Sequence, residues 1–341
     1  MNERENVILL DSAPQPEWNF RELLERETGK RWNIWHINSH FSDSSLKKKA
    51  KFFLFPIKVL FHRNKLGTIL SYQQFYGLIF AFYCDLLHLK KKNRLIVTTF
   101  IYHPKQGWKG RLYRWFVRRA VCSNALDRIV CFSSAEPSYY AQLLDAPPEK
   151  FVYVPLGIGD LGRYSETPPP PGQRFVLSAG KSNRDYDFLV DALKDTPYRV
   201  RILSDTYLRR DTGENIQVYD DVFGEDYYNM LAECYCVVVP LQDIHISAGQ
   251  FVFLQSMMFG KPIITTQSDT VTDYITDGKN GFIISKNSAE LREKLRQLYE
   301  EPQLYRRLAQ EGRCQFLRKY SLESMAAEIG RILRSMEEHN S

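Results

Sequence analysis

The residues best placed for chemistry lie between Pro240 and Ile264, where Ser247-Ala248-Gly249-Gln250-Phe251 precedes Phe253-Leu254-Gln255 and the helix ends in Gly260-Lys261-Pro262. Cys236 to Pro240 is a β-branched run closed by proline, which predicts a buried parallel strand. Ser247 and Gln250 have the spacing of a capping box, so a helix is predicted from Ser247 to about Phe259. Gly260 supplies the left-handed stop, Pro262 blocks continuation, and Ile263 to Thr266 reads as the next strand. A helix start facing the carboxyl end of a parallel sheet presents unpaired N–H groups, and small Ala248 and Gly249 leave them accessible. This arrangement suits a phosphate, with Ser247, Ala248, Gly249, Gln250 and Phe251 as the candidate contacts.

The same stretch resembles the nucleotide-sugar signature of the retaining glycosyltransferases of family 4, in which a Glu, seven residues and a second Glu precede a small-residue helix ending in Gly-Lys-Pro or Gly-Thr-Pro. Leu254 to Ile264 carries the likeness, and Asp273 to Ile284 resembles the segment that follows in that family. Ser247 and Gln255 stand at the two Glu positions. The resemblance implies that Gln255 bonds ribose hydroxyls, while Ser247 is too short for a carboxylate's contact with the donor sugar. It also implies an α/β fold of the GT-B type, two Rossmann-like doubly wound parallel-sheet domains facing across a cleft, with a UDP- or GDP-sugar held mainly by the second. No divalent metal or other cofactor is implied.

Two further sites follow from the resemblance. The turn Gly180-Lys181-Ser182-Asn183-Arg184 resembles a shortened form of the family's two-cation phosphate motif, which gives Lys181 and Arg184 the task of stabilising a departing diphosphate. The alternative is a pair of solvated cations at a helix start, where the dipole disfavours positive charge. His103 falls in the loop after Arg94 to Phe100, close to the family's active-site histidine, and the alternative there is a surface or capping residue. Ser133 and Glu136 read as a cap, and Cys234 and Cys236 as core.

At 341 residues and 44% hydrophobic composition, the chain is long enough for two cores. None of the six cysteines forms Cys-x-x-Cys, which favours a reduced, cytoplasmic protein over a disulfide scaffold. The amino terminus is charged and lacks an apolar signal core. The longest apolar run, Phe75 to Cys84, is half of the roughly twenty residues a membrane span needs.

Charge is uneven. Residues 1–160 hold 24 Lys and Arg against 14 Asp and Glu, while the remainder holds 22 against 26, so the first half is suited to an anionic partner. Its basic stretches are also apolar. Lys47 to Lys65 combines Lys47, Lys48, Lys49 and Lys51 with Phe52, Phe53, Leu54 and Phe55, and Pro56 is predicted to break it into two short amphipathic pieces. Trp108 to Cys122 sets Trp108, Leu112 and Trp115 at helical spacing beside Arg111, Arg114 and Arg118. These faces suit an anionic membrane and a lipid-linked or glycan acceptor better than nucleic acid.

The predicted organisation is a membrane- and acceptor-facing domain over 1–156, a Pro-rich linker over 157–173, a nucleotide-sugar-binding domain over 174–320, and a last helix over 321–341. By resemblance that helix packs back on the first domain. The expected function is transfer of a sugar from a nucleotide donor to an acceptor at the cytoplasmic face of a membrane. Two alternatives remain: a partner subunit that has lost turnover, prompted by Ser247 and Gln255, and a sugar-nucleotide epimerase.

Overall fold

The computed structural model describes residues 4–14, 18–37, 45–208, 211–244 and 248–338, with side chains in the second helix from Ala50 onward. Ser247 and the side chains of Lys47, Lys48 and Lys49 therefore lie outside the described residues. Contacts divide the chain into two units, Met1–Pro155 with Met325–Ser341, and Leu156–Ser324.

In the first unit, β1 (Glu5–Leu10), α1 (Phe20–Thr28), β2 (Trp32–His36), α2 (Ser45–His62), β3 (Leu66–Ser71), α3 (Gln74–Leu86), β4 (Arg94–Val97), α4 (Gly107–Cys122), β5 (Arg128–Cys131), α5 (Glu136–Leu144) and β6 (Phe151–Tyr153) alternate along the chain. The strands form one parallel sheet in the order β2-β1-β3-β4-β5-β6. Val7–Leu10, Leu95–Val97 and Ile129–Cys131 are buried without alternation, as expected for strands covered on both faces. Helices α2, α3, α4 and α5 pack in succession. The middle of α3, Tyr76 to Ala81, is buried all round.

Helix α2 departs from expectation, because it runs unbroken through Pro56, which is itself buried. An interior proline removes one helical hydrogen bond and crowds the preceding turn. Packing on both sides of Pro56 holds the helix nonetheless. Phe55 and Val59 are buried, and the rings of Phe52 and Phe55 lie 5.0 and 4.9 Å from that of Tyr76 on α3. Phe52 is thus half-buried against the core rather than turned outward, whereas Phe53, Leu54 and Phe61 are exposed.

The second unit contains β7 (Val176–Ala179), α6 (Tyr186–Leu193), β8 (Val200–Leu203), β9 (Ile216–Tyr219), α7 (Gly224–Glu233), β10 (Cys236–Val239), α8 (Gln250–Phe259), β11 (Ile263–Thr266), β12 (Phe282–Ile284), α9 (Ser288–Glu300) and α10 (Pro302–Gln315). Its sheet is also parallel, in the order β12-β11-β10-β7-β8-β9. The final helix, α11 (Leu322–Glu338), belongs to the first unit from Met325 on, where Arg334 donates to the Glu27 carbonyl at 2.5 Å. Among the described residues, no helix is long and apolar enough to cross a membrane. All six cysteines are free, and burial pushes the Cys84 and Cys234 thiols up to about 11 and about 12.

The stretch after Leu156 is more structured than its prolines suggest. Pro171–Gln173 forms a short 3-10 turn, and Ile158 bridges to Ser321. Arg313 of α10 donates to both carboxylate oxygens of Asp160, at 3.0 and 2.5 Å, and to the Met258 carbonyl at 3.2 Å. Burial raises the Asp160 pKa, but the bonds from Arg313 and the Gly162 N–H, with the Arg313 charge, outweigh it and leave the carboxyl below its ordinary value. A depressed carboxylate stabilises the fold fully above its unfolded pKa and loses that contribution as pH falls through the folded one. Arg313→Ala should therefore cost about 2 kcal/mol at neutral pH, the middle of the range for bonds to charged groups, and flatten the acid-side loss. Urea midpoints across pH 2–7 check both; an unchanged acid profile would exclude Asp160 from that loss.

Candidate functional site

Strand β7 ends at Ala179, and Gly180 turns the chain with a φ of +116°. Arg184 closes this turn: its Nε donates to the Ala179 carbonyl at 3.0 Å and its Nη1 to the Ser182 carbonyl at 2.8 Å. A Cβ on Gly180 would come within 2.7 Å of Nη2 of the same guanidinium, so the glycine is needed for both its φ and its clearance. Burial lowers the Arg184 pKa. Two of its donor nitrogens thus serve the backbone, and the reading of Arg184 as a solvated cation is wrong. Asp185 caps α6 by accepting from the Phe188 N–H at 3.0 Å. Lys181, by contrast, is exposed, ion-paired with Asp205 at the end of β8, and 5.7 Å from the centre of the Phe223 ring.

These groups border a cleft of about 240 Å³ at the carboxyl ends of β7, β8 and β9. Its lining includes Gly180, Lys181, Asp205, Tyr219, Asp220 and Phe223, with Tyr227 of α7 and Val252 and Gln255 of α8. In sheet order β7 lies between β8 and β10, which is where the winding reverses and where open parallel sheets bind ligands. Gln255 is oriented by Tyr227, whose hydroxyl donates to its Oε1 at 2.8 Å, leaving the carboxamide NH₂ for other work.

Helix α8 starts three residues later than the capping-box spacing predicts, at Gln250, with Gly249 preceding it at a φ of +93°. A Cβ on Gly249 would lie 2.9 Å from the Phe253 ring and 3.3 Å from Val239. The left-handed glycine marks where the helix begins; the expected capping box includes Ser247, which lies outside the described residues. Ala248 is buried and Phe251 exposed, and of the helix's first turns it is Val252 and Gln255 that face the cleft. The other end matches expectation, with Gly260 at a φ of +70°.

His103 belongs to the first unit, exposed in the loop between β4 and α4. That loop is set by Gly110, where a Cβ would fall 1.9 Å from the Lys105 carbonyl oxygen. On α4, Trp108, Leu112 and Trp115 are exposed by 65, 56 and 48%. Arg111 is exposed, but Arg114 donates to the Leu143 carbonyl at 3.0 Å and Arg118 to Asp145 at 2.6 Å, so these two are partly engaged. Lys51 lies half-buried on α2. Near Ser133, the Glu136 carboxylate accepts from the N–H groups of Phe132 and Ser133, both at 3.0 Å, as a cap should. Asp205, Asp220, Phe223 and Tyr227 were not singled out by sequence; no motif marks them, and only the parallel strand order brings them to Lys181.

Residues 201–315 match the family described as glycosyl transferases group 1. An uncharacterized glycosyltransferase of Methanocaldococcus jannaschii is 22% identical over 69% of this chain and 65% of its own length. The D-rhamnosyltransferase WbpZ of Pseudomonas aeruginosa is 28% identical over 65% of this chain and 62% of its own. The chain therefore spans a little under two thirds of both curated relatives. Among solved structures, HepE of Anabaena in complex with UDP and glucose aligns over 98% of this chain and all of its own, with a TM-score of 0.68 at 14% identity. The two parallel sheets have the Rossmann-like GT-B fold, and the segment from β8 to α10 that forms much of the cleft is the part that matches the glycosyl transferases group 1 family.

Proposed function

We propose that this chain is a retaining glycosyltransferase of the family 4 type, which moves a sugar from a nucleotide donor to a hydroxyl of a membrane-associated acceptor without a metal ion. The observation that carries the reading is the cleft, where exposed Lys181 and the orienting Tyr227–Gln255 pair meet at the carboxyl ends of three parallel strands, partly within the matched segment. Charge develops on the diphosphate as the glycosidic bond breaks, and a fixed cation with the N–H groups opening α8 stabilises it. Gln255 takes the ribose hydroxyls, and His103 takes the donor sugar. The acceptor is assigned to the first unit, whose basic helices expose tryptophan, leucine and phenylalanine. The protein then works peripherally, on the cytoplasmic face.

A second reading, binding without turnover, is favoured by the neutral residues Ser247 and Gln255 at both glutamate positions. Turnover separates the two. Incubated with UDP- and GDP-sugars and a lipid-linked acceptor mixture, the protein should release nucleotide equally with and without EDTA. Binding with no release would establish the second reading, and strict metal dependence would remove the family 4 assignment.

A further inference from the structure

Resting on the nucleotide-sugar reading and narrowing it, we infer that the cleft selects a guanine nucleoside diphosphate and that the Asp220 carboxylate reads the base. The volume of 240 Å³ is below the ~300–1,000 Å³ usual for a whole small-molecule site, which fits the nucleoside portion of a donor. The cleft has two chemically different ends. The start of α8, with the N–H groups of its first turn, suits the diphosphate, so the base falls toward the wall from Tyr219 to Gly224, between the end of β9 and the start of α7, where Lys181 reaches across to Phe223.

That wall holds what a base needs. Phe223 is 58% exposed and lines the cleft, offering an apolar ring against which a base can stack. Two carboxylates border the space, and they differ. Asp205 is already paired with Lys181, whereas Asp220 is exposed and makes no hydrogen bond or ion pair with another described residue. A carboxylate only accepts, through two oxygens side by side. Guanine alone among the common bases presents two donors side by side, N1–H and the N2 amino group. Uracil has one N–H between two carbonyl oxygens, and adenine and cytosine each set an amino group beside an acceptor nitrogen. Against Asp220, all three would bring lone pair against lone pair, so each loses a hydrogen bond to a charged acceptor that guanine keeps.

Calorimetric titration of the full chain with GDP, UDP and ADP tests this. GDP should bind at least about tenfold more tightly than the other two, the low end for a hydrogen bond to a charged group. Asp220→Ala should abolish that preference, weakening GDP binding and relieving the repulsion that holds UDP binding down. Asp220→Asn, which puts a donor where an acceptor stood, should gain affinity for xanthosine diphosphate, whose C2 carbonyl replaces the amino group of guanine. Tight UDP binding at or above GDP would overturn the guanine assignment while the nucleotide-sugar reading stands. Failure to bind any nucleoside diphosphate would overturn both. A GDP preference that survives Asp220→Ala would overturn the role of Asp220.

Discussion

Replacing Arg184 by alanine should destabilise the second unit by about 3 kcal/mol, whereas Lys181→Ala should leave its stability nearly unchanged and weaken nucleoside-diphosphate binding by about 1.5–3 kcal/mol, the range for bonds to charged groups. The asymmetry follows from what each cation touches. Arg184 holds the Ala179 and Ser182 carbonyls from inside the turn, and removing it takes the donor from the part-buried Ala179 carbonyl and the tie that closes the turn at left-handed Gly180. The Lys181–Asp205 pair is exposed, at 56 and 34%, so its loss costs at most about 1 kcal/mol. Arg184→Lys keeps the charge but not the planar fork that spans two carbonyls, and should recover little of the stability. Denaturant unfolding beside nucleotide titration measures both quantities. Equal losses of affinity in the two alanine variants, with stability intact, would show that Arg184 serves the ligand and not the turn.

Vesicles containing anionic lipid should sediment the protein, neutral vesicles should not, and salt should release it. The α4 stripe of Trp108, Leu112 and Trp115, four and three residues apart, leaves on one face of a helix an apolar surface that water-facing helices do not carry. Lys109 and Arg111 flank it, and α2 adds exposed Phe53, Leu54 and Phe61. Each cation near an anionic surface contributes about 1 kcal/mol, so replacing Lys47, Lys48, Lys49 and Lys51 by Glu should weaken partitioning by orders of magnitude. Trp108→Ala with Trp115→Ala should weaken it without removing the salt dependence. Co-sedimentation that ignores lipid charge would end the proposal.

What could be read from the sequence was local. The run Cys236 to Thr266 announced strand, helix, glycine stop and strand, and all are present. The spacing of Trp108, Leu112 and Trp115 announced a helix, and it is there. Pro56 misled because a local penalty was weighed without the contacts of Phe55 and Val59, which join α2 to residues some twenty positions away. The site was less legible for the same reason. Lys181 was found from its turn, but its carboxylate partner is Asp205, 24 residues on, and the partner of Gln255 is Tyr227, 28 residues before. Arg184 was recognised as a cation, yet no pattern of residue types distinguishes one that points at a ligand from one that points back at its own backbone.

The distribution of thiols makes the protein easy to label at one place. Cys84, Cys131, Cys234 and Cys236 are buried with their pKa values raised, which keeps them as unreactive thiols at neutral pH, and the thiol of half-buried Cys122 is also pushed up. Cys314 alone is exposed, on α10. Helix α10 packs directly on α8, with Gly312 against Met257. A maleimide dye would therefore enter at position 314 of the natural sequence and sit behind the helix whose other side borders the cleft, giving nucleotide binding a fluorescent readout with no engineered cysteine.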